Sequence, residues 1–328
     1  MKLATYKDGT RDGQLVVVSR DLAAAHYATG IATRLQQALD DWNFHAPLLD
    51  ELYQTLNGGK ARHAFAFDPR RCMAPLPRAY QWADGSACLA HARRVLAARG
   101  VPLPEDLETV PLLYQGGSDD LLGPCDEARF ADEAWGIDLE AELAVVTGDV
   151  PMGASPEQAL EGVRLLMLAN DWTLRERVSP ELARGFGFFQ SKPATAFGPV
   201  AVTPDELGDA WRGGRAHVVL RSAVNDRELG RCDAGAAMHF HFGQLLAHAA
   251  QTRRLRAGSI IGSGTVASDD ERAGVHCLVE RRALEALRDG QSSTGYLKFG
   301  DSVRIEAFDA DGGSVFGAIE QRVARAGH

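Results

Sequence analysis

The stretch Asp138-Leu139-Glu140-Ala141-Glu142-Leu143-Ala144-Val145-Val146-Thr147 decides how this chain is read. Acidic and apolar residues alternate through its first half, and the second half is almost wholly apolar. Period-two alternation marks a β-strand, expected over 137–147, because successive side chains face opposite ways. Asp138, Glu140 and Glu142 therefore share one face, and Leu139, Ala141 and Leu143 point to a core. Two uses fit such a face. It can be a solvated sheet surface. Alternatively, like charges this close repel one another and favour a cation among them. Carboxylate oxygens suit hard cations: magnesium, calcium or manganese.

Downstream, Ser155-Pro156-Glu157 reads as a helix start, and a helix is expected over 155–168. Its apolar end runs into Asn170-Asp171-Trp172-Thr173-Leu174-Arg175, ahead of the turn signal Ser179-Pro180. Asp171 is either one more oxygen ligand or an ordinary helix N-cap. Lys192 stands in Gln190-Ser191-Lys192-Pro193-Ala194-Thr195-Ala196-Phe197-Gly198-Pro199, an apolar stretch rich in glycine and proline. A lysine buried beside a metal there would anchor a substrate oxygen.

Upstream, residues 2–7 and 13–19 read as two strands joined by a turn. Residues 32–57 carry helical spacing that ends at Gly58-Gly59, with Pro47 expected to split it in two. Pro75 and Pro77 mark an extended stretch and a domain boundary. A helix is expected over 86–99, with Ser86 as its cap, and a loop over 111–123. Further strands are expected near 198–203, 215–224, 258–266, 302–308 and 315–321, with one helix at 235–252. Many strands without regular βα alternation indicate a β-rich α+β fold.

Composition excludes several classes. The chain has 328 residues, 45% hydrophobic and 24% charged, so it can bury a core. With 44 acidic against 35 basic residues and a net charge of −9, it lacks the basic excess of a nucleic-acid binder. No stretch approaches the ~18 unbroken apolar residues of a membrane span. Residues 1–9 carry no apolar core of a secretory signal. Cys72, Cys88, Cys125, Cys232 and Cys277 are scattered, with no C-x-x-C pair. A cytoplasmic location with reduced thiols is expected.

Two other patterns invite chemistry. His239, His241 and His248 do not all share a helix face, and no acid or cysteine completes a zinc set with them. The run Gly258-Ser259-Ile260-Ile261-Gly262-Ser263-Gly264 lacks the Gly-Lys-[Ser/Thr] ending of a phosphate loop. Its glycines fit a close backbone approach instead.

Taken in order, these pieces resemble the fumarylacetoacetate hydrolase family over roughly residues 80–322. They are Glu140-x-Glu142 on an apolar strand, Asn170-Asp171-Trp172-Thr173-x-Arg175, Lys192 before Phe197-Gly198-Pro199, and Gly262-Ser263-Gly264-Thr265. The resemblance implies a fumarylacetoacetate-hydrolase-like mixed β-sandwich roll over 76–328, with a small N-terminal β domain over 1–75. It also implies a divalent metal, Mg2+ or Ca2+ with Mn2+ as an alternative, held by Glu140, Glu142, Asp171 and Asp84, with Asp138 outside them. A lone helical histidine is usually structural, yet the resemblance makes His91 the general base, oriented by Glu280. Tyr114, Arg175, Lys192 and Thr265 would meet the substrate. The longer enzymes carry a glutamine and a second tyrosine shortly after the arginine; here Arg177-Val178-Ser179-Pro180 follows, with neither. The implied activity is C–C bond hydrolysis of a 1,3-diketo acid. Fumarylacetoacetate, split to fumarate and acetoacetate in tyrosine breakdown, is the foremost substrate. Hydration, decarboxylation or acylpyruvate hydrolysis on the same scaffold is the alternative. A homodimer is expected, with no nucleic-acid or membrane partner.

Overall fold

The computed structural model describes residues 1–327. The chain opens with a meander, β1 (Lys2–Tyr6), β2 (Gln14–Val18) and β3 (Ala24–Tyr27). Helices α1 (Leu35–Asp40) and α2 (Trp42–Asn57) and the short β4 (Phe65–Ala66) follow. Then come β5 (Gln81–Gly85), α3 (Leu89–Ala98), β6 (Leu113–Gly116) and β7 (Ala128–Phe130). The quoted stretch forms β8 (Ile137–Asp138) and β9 (Ala141–Thr147). After it lie α4 (Pro156–Leu160), β10 (Val163–Asn170), β11 (Thr173–Leu174) and α5 (Arg175–Leu182). Short strands β12 (Ala196–Phe197), β13 (Ala201–Val202), β14 (Trp211–Arg212) and β15 (Arg215–Ala216) lead to the hairpin β16 (Val219–Val224) and β17 (Arg227–Asp233). The last elements are α6 (Ala234–Ala237), α7 (Phe242–Ala249), β18 (Ser259–Gly262), α8 (Leu278–Asp289), β19 (Ser302–Phe308) and β20 (Ile319–Arg325).

Two sheets organise these elements. The larger has the order β4-β3-β2-β1-β13-β10-β9-β18-β5-β6, with β12 also on β10. The smaller has the order β17-β16-β19-β20-β7. Leu143 and Val145 of β9 pack with Leu220, Ile305 and Val323, so one core lies between the sheets. Ala144 and Val146 point the other way and pack with Leu39, Leu49 and Tyr53 from α1 and α2. Both faces of β9 are therefore covered, which is why its second half is apolar at every position. Each fully buried Leu or Val contributes roughly 1.5–3 kcal/mol. Residues 1–75 extend the larger sheet through antiparallel pairing of β1 with β13.

Several sequence expectations are corrected. The helix expected over 155–168 ends at Leu160, and Val163–Asn170 is a central strand between β9 and β13. A continuous apolar run has no periodicity to tell a buried strand from a buried helix. The strand expected over 137–147 breaks at Leu139-Glu140, where the Asn170 side chain accepts the Glu140 N–H at 3.0 Å. Pro47 does not split its helix; the break falls at Asp41. Pro47 removes one donor near the helix start, where Asn43 is exposed and water can satisfy its carbonyl. Helix α3 starts at Leu89 after Cys88, because the Ala87 carbonyl accepts from the N–H groups of His239 and Phe240 instead of from a helical N–H. Leu113–Gly116, expected as loop, pairs with β5 as an edge strand. The helix expected over 235–252 is interrupted at 238–241, where the N–H groups of His239 and Phe240 turn to the Ala87 carbonyl. The final strand lies at Ile319–Arg325, later than the 315–321 expected. Strand β17 and helices α5 and α8 were not expected.

Candidate active site

Strands β10 and β9, and β5 beyond the intervening β18, bring carboxylates of the larger sheet to one place. Register pairs Glu142 on β9 with Ala169 on β10, two residues before Asp171. Asp84 on β5 is paired with Gly262 on β18 and with Tyr114 on β6. Oxygens of Asp84, Glu142 and Asp171 all lie within 4.8 Å of one another, and all three residues are buried. Asp171 is not a helix cap; it sits between β10 and β11 and points into the cluster.

Neighbours satisfy this cluster unevenly. Asp84 Oδ1 accepts the Gly264 N–H at 2.9 Å. Asp171 accepts from Thr195 Oγ1 at 2.7 Å, and from Tyr114 Oη and Lys192 Nζ at 2.5 Å each. Lys192 also donates to Glu140 Oε2 at 2.5 Å, and its Nζ lies 5.2 Å from the Tyr114 ring centre. Both oxygens of Glu142 are buried and receive no hydrogen bond. A buried carboxylate without a donor is costly. An all-oxygen cluster with two orphaned acceptor atoms fits a hard divalent cation. Asp84, Glu142 and Asp171 are the residues that could hold it.

Glu140 is turned aside from that trio. Its carboxylate accepts from Arg175 Nη2 at 2.6 Å, from Lys192 and from Thr173 Oγ1 at 3.0 Å. Arg175 is engaged on both arms, donating through Nε to Asp138 at 2.7 Å as well. Asp138 also accepts the N–H groups of Leu278 and Val279, at 2.7 and 2.9 Å. It thereby ties the start of α8 to the acid-bearing strand. None of the three aligned acids is a solvated face; all are buried.

Electrostatics follow from this crowding. Five buried carboxylates, Asp84, Asp138, Glu140, Glu142 and Asp171, face two cations, Lys192 and Arg175. Burial, then the charge of Asp171, pushes the Asp84 carboxyl up to about 8. Burial, then Asp84 and Asp171, pushes Glu142 well above its ordinary range. Burial opposes the charge on Glu140, yet Arg175 and Lys192 outweigh it and hold that carboxyl well below its ordinary range. Burial likewise opposes the ammonium of Lys192, and Asp171 and Glu140 outweigh it, keeping the lysine charged.

These directions carry a test. In the metal-free protein, the folded state holds protons on Asp84 and Glu142 that the unfolded chain releases. Stability therefore falls as pH rises from about 4 towards about 8, the value of Asp84. Urea unfolding of chelator-treated protein across this range is expected to give a falling free energy. Saturating magnesium should flatten the slope, since a bound dication removes the need for those protons. A metal-free protein whose stability rises through the window would contradict the charge arrangement.

A second group stands beside the acids. His91 on α3 places Nδ1 3.2 Å from Glu280 Oε2 on α8. Glu280 is fully buried, and its other oxygen accepts from Arg94 Nη1 at 2.5 Å. Burial opposes its charge, but His91 and Arg94 hold its carboxyl below the ordinary range. Cys277 Sγ lies 3.6 Å from the same His91 nitrogen. Val279, the residue before Glu280, donates its N–H to Asp138, and Arg175 joins Asp138 to Glu140, which links the pair to the acid cluster.

Of the residues singled out in the sequence, the structure gathers Asp84, Glu142, Asp171, Lys192 and Tyr114 around one point. His91 and Glu280 are paired. Glu140 and Arg175 are locked to each other, and Thr265 follows the Gly264 that holds Asp84. Sequence reasoning missed Thr173, Thr195, Arg94 and Cys277. Thr195 stood within the quoted lysine stretch, whereas Cys277 carried no local signal. The histidine group at 239–248 is not a metal cluster: His239 Nε2 meets the Glu108 carbonyl at 2.8 Å. The glycine run allows close approach. A Cβ on Gly262 would collide with Asp84 Oδ1 and the Trp82 ring. Gly262→Ala is expected to destabilise the fold by about 1–3 kcal/mol and to weaken metal binding by displacing Asp84. Calorimetry of unfolding and of magnesium binding measures both, and unchanged metal affinity would sink the second half.

Comparison with known proteins places the chain among relatives. Residues 81–324 match the family model described as fumarylacetoacetate (FAA) hydrolase C-terminal, and residues 1–78 match that described as fumarylacetoacetase N-terminal domain 2. The chain is 29% identical over 168 residues to 2,4-didehydro-3-deoxy-L-rhamnonate hydrolase of a Sphingomonas species, covering 50% of this chain and 54% of that protein. It is 27% identical over 170 residues to the mitochondrial oxaloacetate tautomerase of Xenopus laevis, covering 51% of this chain and 50% of the other. The chain thus spans about half the length of these curated relatives. A solved structure of maleylpyruvate hydrolase from Sphingobium sp. SYK-6, in complex with manganese (II) ion and pyruvate, superposes with a TM-score of 0.65. That match is 16% identical and covers 100% of both chains, a likeness of fold.

Proposed function

The chain belongs to the fumarylacetoacetate hydrolase family, and from that premise we propose that it is a metal-dependent hydrolase cleaving a C–C bond in a 1,3-diketo acid. Fumarylacetoacetate is the substrate put forward first. The observation that carries this reading is the pairing of two machines at one place. Buried carboxylates with orphaned Glu142 oxygens suit a hard dication, and a His91–Glu280 pair beside them suits a base. A divalent cation bound by Asp84, Glu142 and Asp171 would supply Lewis-acid charge to substrate oxygens. Magnesium, calcium and manganese all suit the donor set.

The chain's own residues supply the rest. Glu280 accepts a hydrogen bond from Nδ1–H of His91, which leaves the Nε2 lone pair free. Nε2 takes a proton from water as the water oxygen bonds to the substrate carbonyl carbon. The bond between that carbon and its neighbour breaks, and its electron pair leaves as an enolate. His91 returns the proton to the enolate carbon, so two acids leave and the imidazole is neutral again. Lys192, held charged between Glu140 and Asp171, stabilises negative charge developing on a substrate oxygen.

Hydration or tautomerisation of a 2-oxo acid is a second reading. It is favoured by the missing glutamine and tyrosine after Arg175, and by a curated relative named as a tautomerase. Product NMR separates the two. Fumarate and acetoacetate from fumarylacetoacetate support cleavage, whereas an unbroken carbon chain in the product rejects it. Chelation with EDTA is expected to abolish turnover, and added magnesium or manganese to restore it. Undiminished turnover after chelation would reject a metal-dependent mechanism. We also place the protein in the cytoplasm, which agrees with five free cysteines.

A further inference from the structure

We propose that His91, Cys277 and Glu280 form a second metal site, one that takes Zn2+ and switches off the His91–Glu280 pair when filled. The three ligand atoms lie within 4.8 Å of one another, apart from the all-oxygen trio of Asp84, Glu142 and Asp171. Tetrahedral zinc has bonds of about 2.3 Å to sulfur and about 2.0–2.2 Å to nitrogen and oxygen. Tetrahedral angles then require edges of about 3.5 Å between nitrogen and sulfur, and about 3.3 Å between nitrogen and oxygen. The structure has 3.6 Å from His91 Nδ1 to Cys277 Sγ and 3.2 Å to Glu280 Oε2. Two of the three edges already have zinc-site lengths, and the third, between the sulfur and a Glu280 oxygen, is within 4.8 Å.

The donor types make the two sites selective. An imidazole, a thiol and one carboxylate suit zinc, while magnesium and calcium prefer oxygen alone. Cys277 and Glu280 are buried, and the His91 side chain is 18% exposed, so an ion enters past the histidine. Three protein ligands leave a fourth position for water, as in open zinc sites. Binding breaks the S–H bond of Cys277, forms the Zn–S bond and releases one proton to solvent; no electron moves. Arg94, on the other oxygen of Glu280, places a cation nearby and makes the site weaker than one built from thiolates alone.

Inhibition follows from the imidazole's proton count, and this part rests on the function proposed above. A neutral imidazole carries one N–H. With zinc on Nδ1, that proton must sit on Nε2, and no lone pair remains to accept a proton from water. Zinc also takes the Glu280 oxygen that orients the ring.

The test uses the full chain with magnesium in excess, so that the carboxylate site is saturated. Cobalt (II), a coloured substitute for zinc, is titrated in and read by absorption. The expected result is a thiolate-to-cobalt charge-transfer band and tetrahedral d–d bands, discharged by one equivalent of zinc. Cys277→Ser should lose the charge-transfer band and bind zinc at least ~10-fold more weakly, since even an outer-shell partner is commonly worth that much. Cys277→Ala serves as a second variant, with near-ultraviolet circular dichroism to check folding. Cys232→Ser should keep the band, although Cys232 Sγ also lies 3.3 Å from a histidine, His276. No band, a band that survives in folded Cys277→Ser, or one lost in Cys232→Ser overturns the site. In assays, zinc should lower wild-type turnover at least ~10-fold, with Cys277→Ser and Cys277→Ala, each compared with its own zinc-free rate, far less affected. Equal inhibition of all three overturns the switch. A chain that shows the band but turns over no keto acid overturns the proposed function and leaves the zinc site standing.

Discussion

Glu142→Gln is expected to stabilise the metal-free protein while abolishing metal binding and turnover. Both oxygens of Glu142 are buried without a hydrogen bond, and Asp84 and Asp171 face them. Burial and those neighbours hold its carboxyl well above the ordinary range, so the metal-free fold keeps a proton there that the unfolded chain releases near neutral pH. Glutamine removes this linkage and adds two N–H donors facing the carboxylates of Asp84 and Asp171. Relief of a buried unsatisfied group is worth about 1–3 kcal/mol. Sign and window follow from the raised value. The wild-type protein loses stability as pH rises above the ordinary glutamate range, the variant loses less because only Asp84 still holds such a proton, and the advantage grows with pH. Urea unfolding of both chelated proteins at low and neutral pH measures it. In magnesium the order should reverse, because a dication stabilises only the protein that binds it. A variant less stable than wild type when metal-free would mean that Glu142 is satisfied in some way the structure lacks.

His91→Ala should lower kcat by about 10²–10⁴-fold, the range of a general base, with magnesium affinity nearly unchanged. The separation follows from placement. His91 lies on α3 and meets Glu280, whereas the three metal-binding candidates sit on or beside β5, β9 and β10. Glu280→Gln tests orientation. Its amide can donate to Nδ1 and favour the tautomer whose proton is on Nε2, which cannot act as a base. A loss of at least ~10-fold in kcat with little change in KM is expected. Loss of magnesium binding from His91→Ala, measured by calorimetry, would show that the two groups are not separable. Full turnover in that variant would remove His91 from the mechanism.

The parts legible in the sequence were those written in short-range periodicity. Strand alternation alone puts Glu140 and Glu142 on one face and Leu139 and Leu143 on the other. Both pairs are divided that way, although the strand breaks at Leu139-Glu140. The strand Val163–Asn170 reads as helix from its sequence because six of its eight residues are apolar and offer no polar phase to count; only Arg164 and Asn170 interrupt the run. Its identity depends on β9 and β13 lying on either side, and no local pattern records that. Helix α8 escaped notice for a related reason. Its first turn is anchored by Asp138, 140 and 141 residues away in sequence, rather than by a capping side chain of its own.

Sequence alone determined which chemical groups the protein brings: alternating acids on a buried strand, an Asn-Asp-Trp segment, a lysine among prolines and glycines, and a histidine after Asp84. Those are properties of neighbouring residues, and backbone periodicity orders neighbours reliably. Tertiary structure decided how the groups are divided. Glu140 and Glu142 share a face and a charge, yet Arg175 and Lys192 claim one while Asp84 and Asp171 crowd the other. Cys277 meets His91 across 186 positions of chain. Coulomb forces and coordination act through space at a few ångströms, so the partners of each group are set by the packing of sheets and helices.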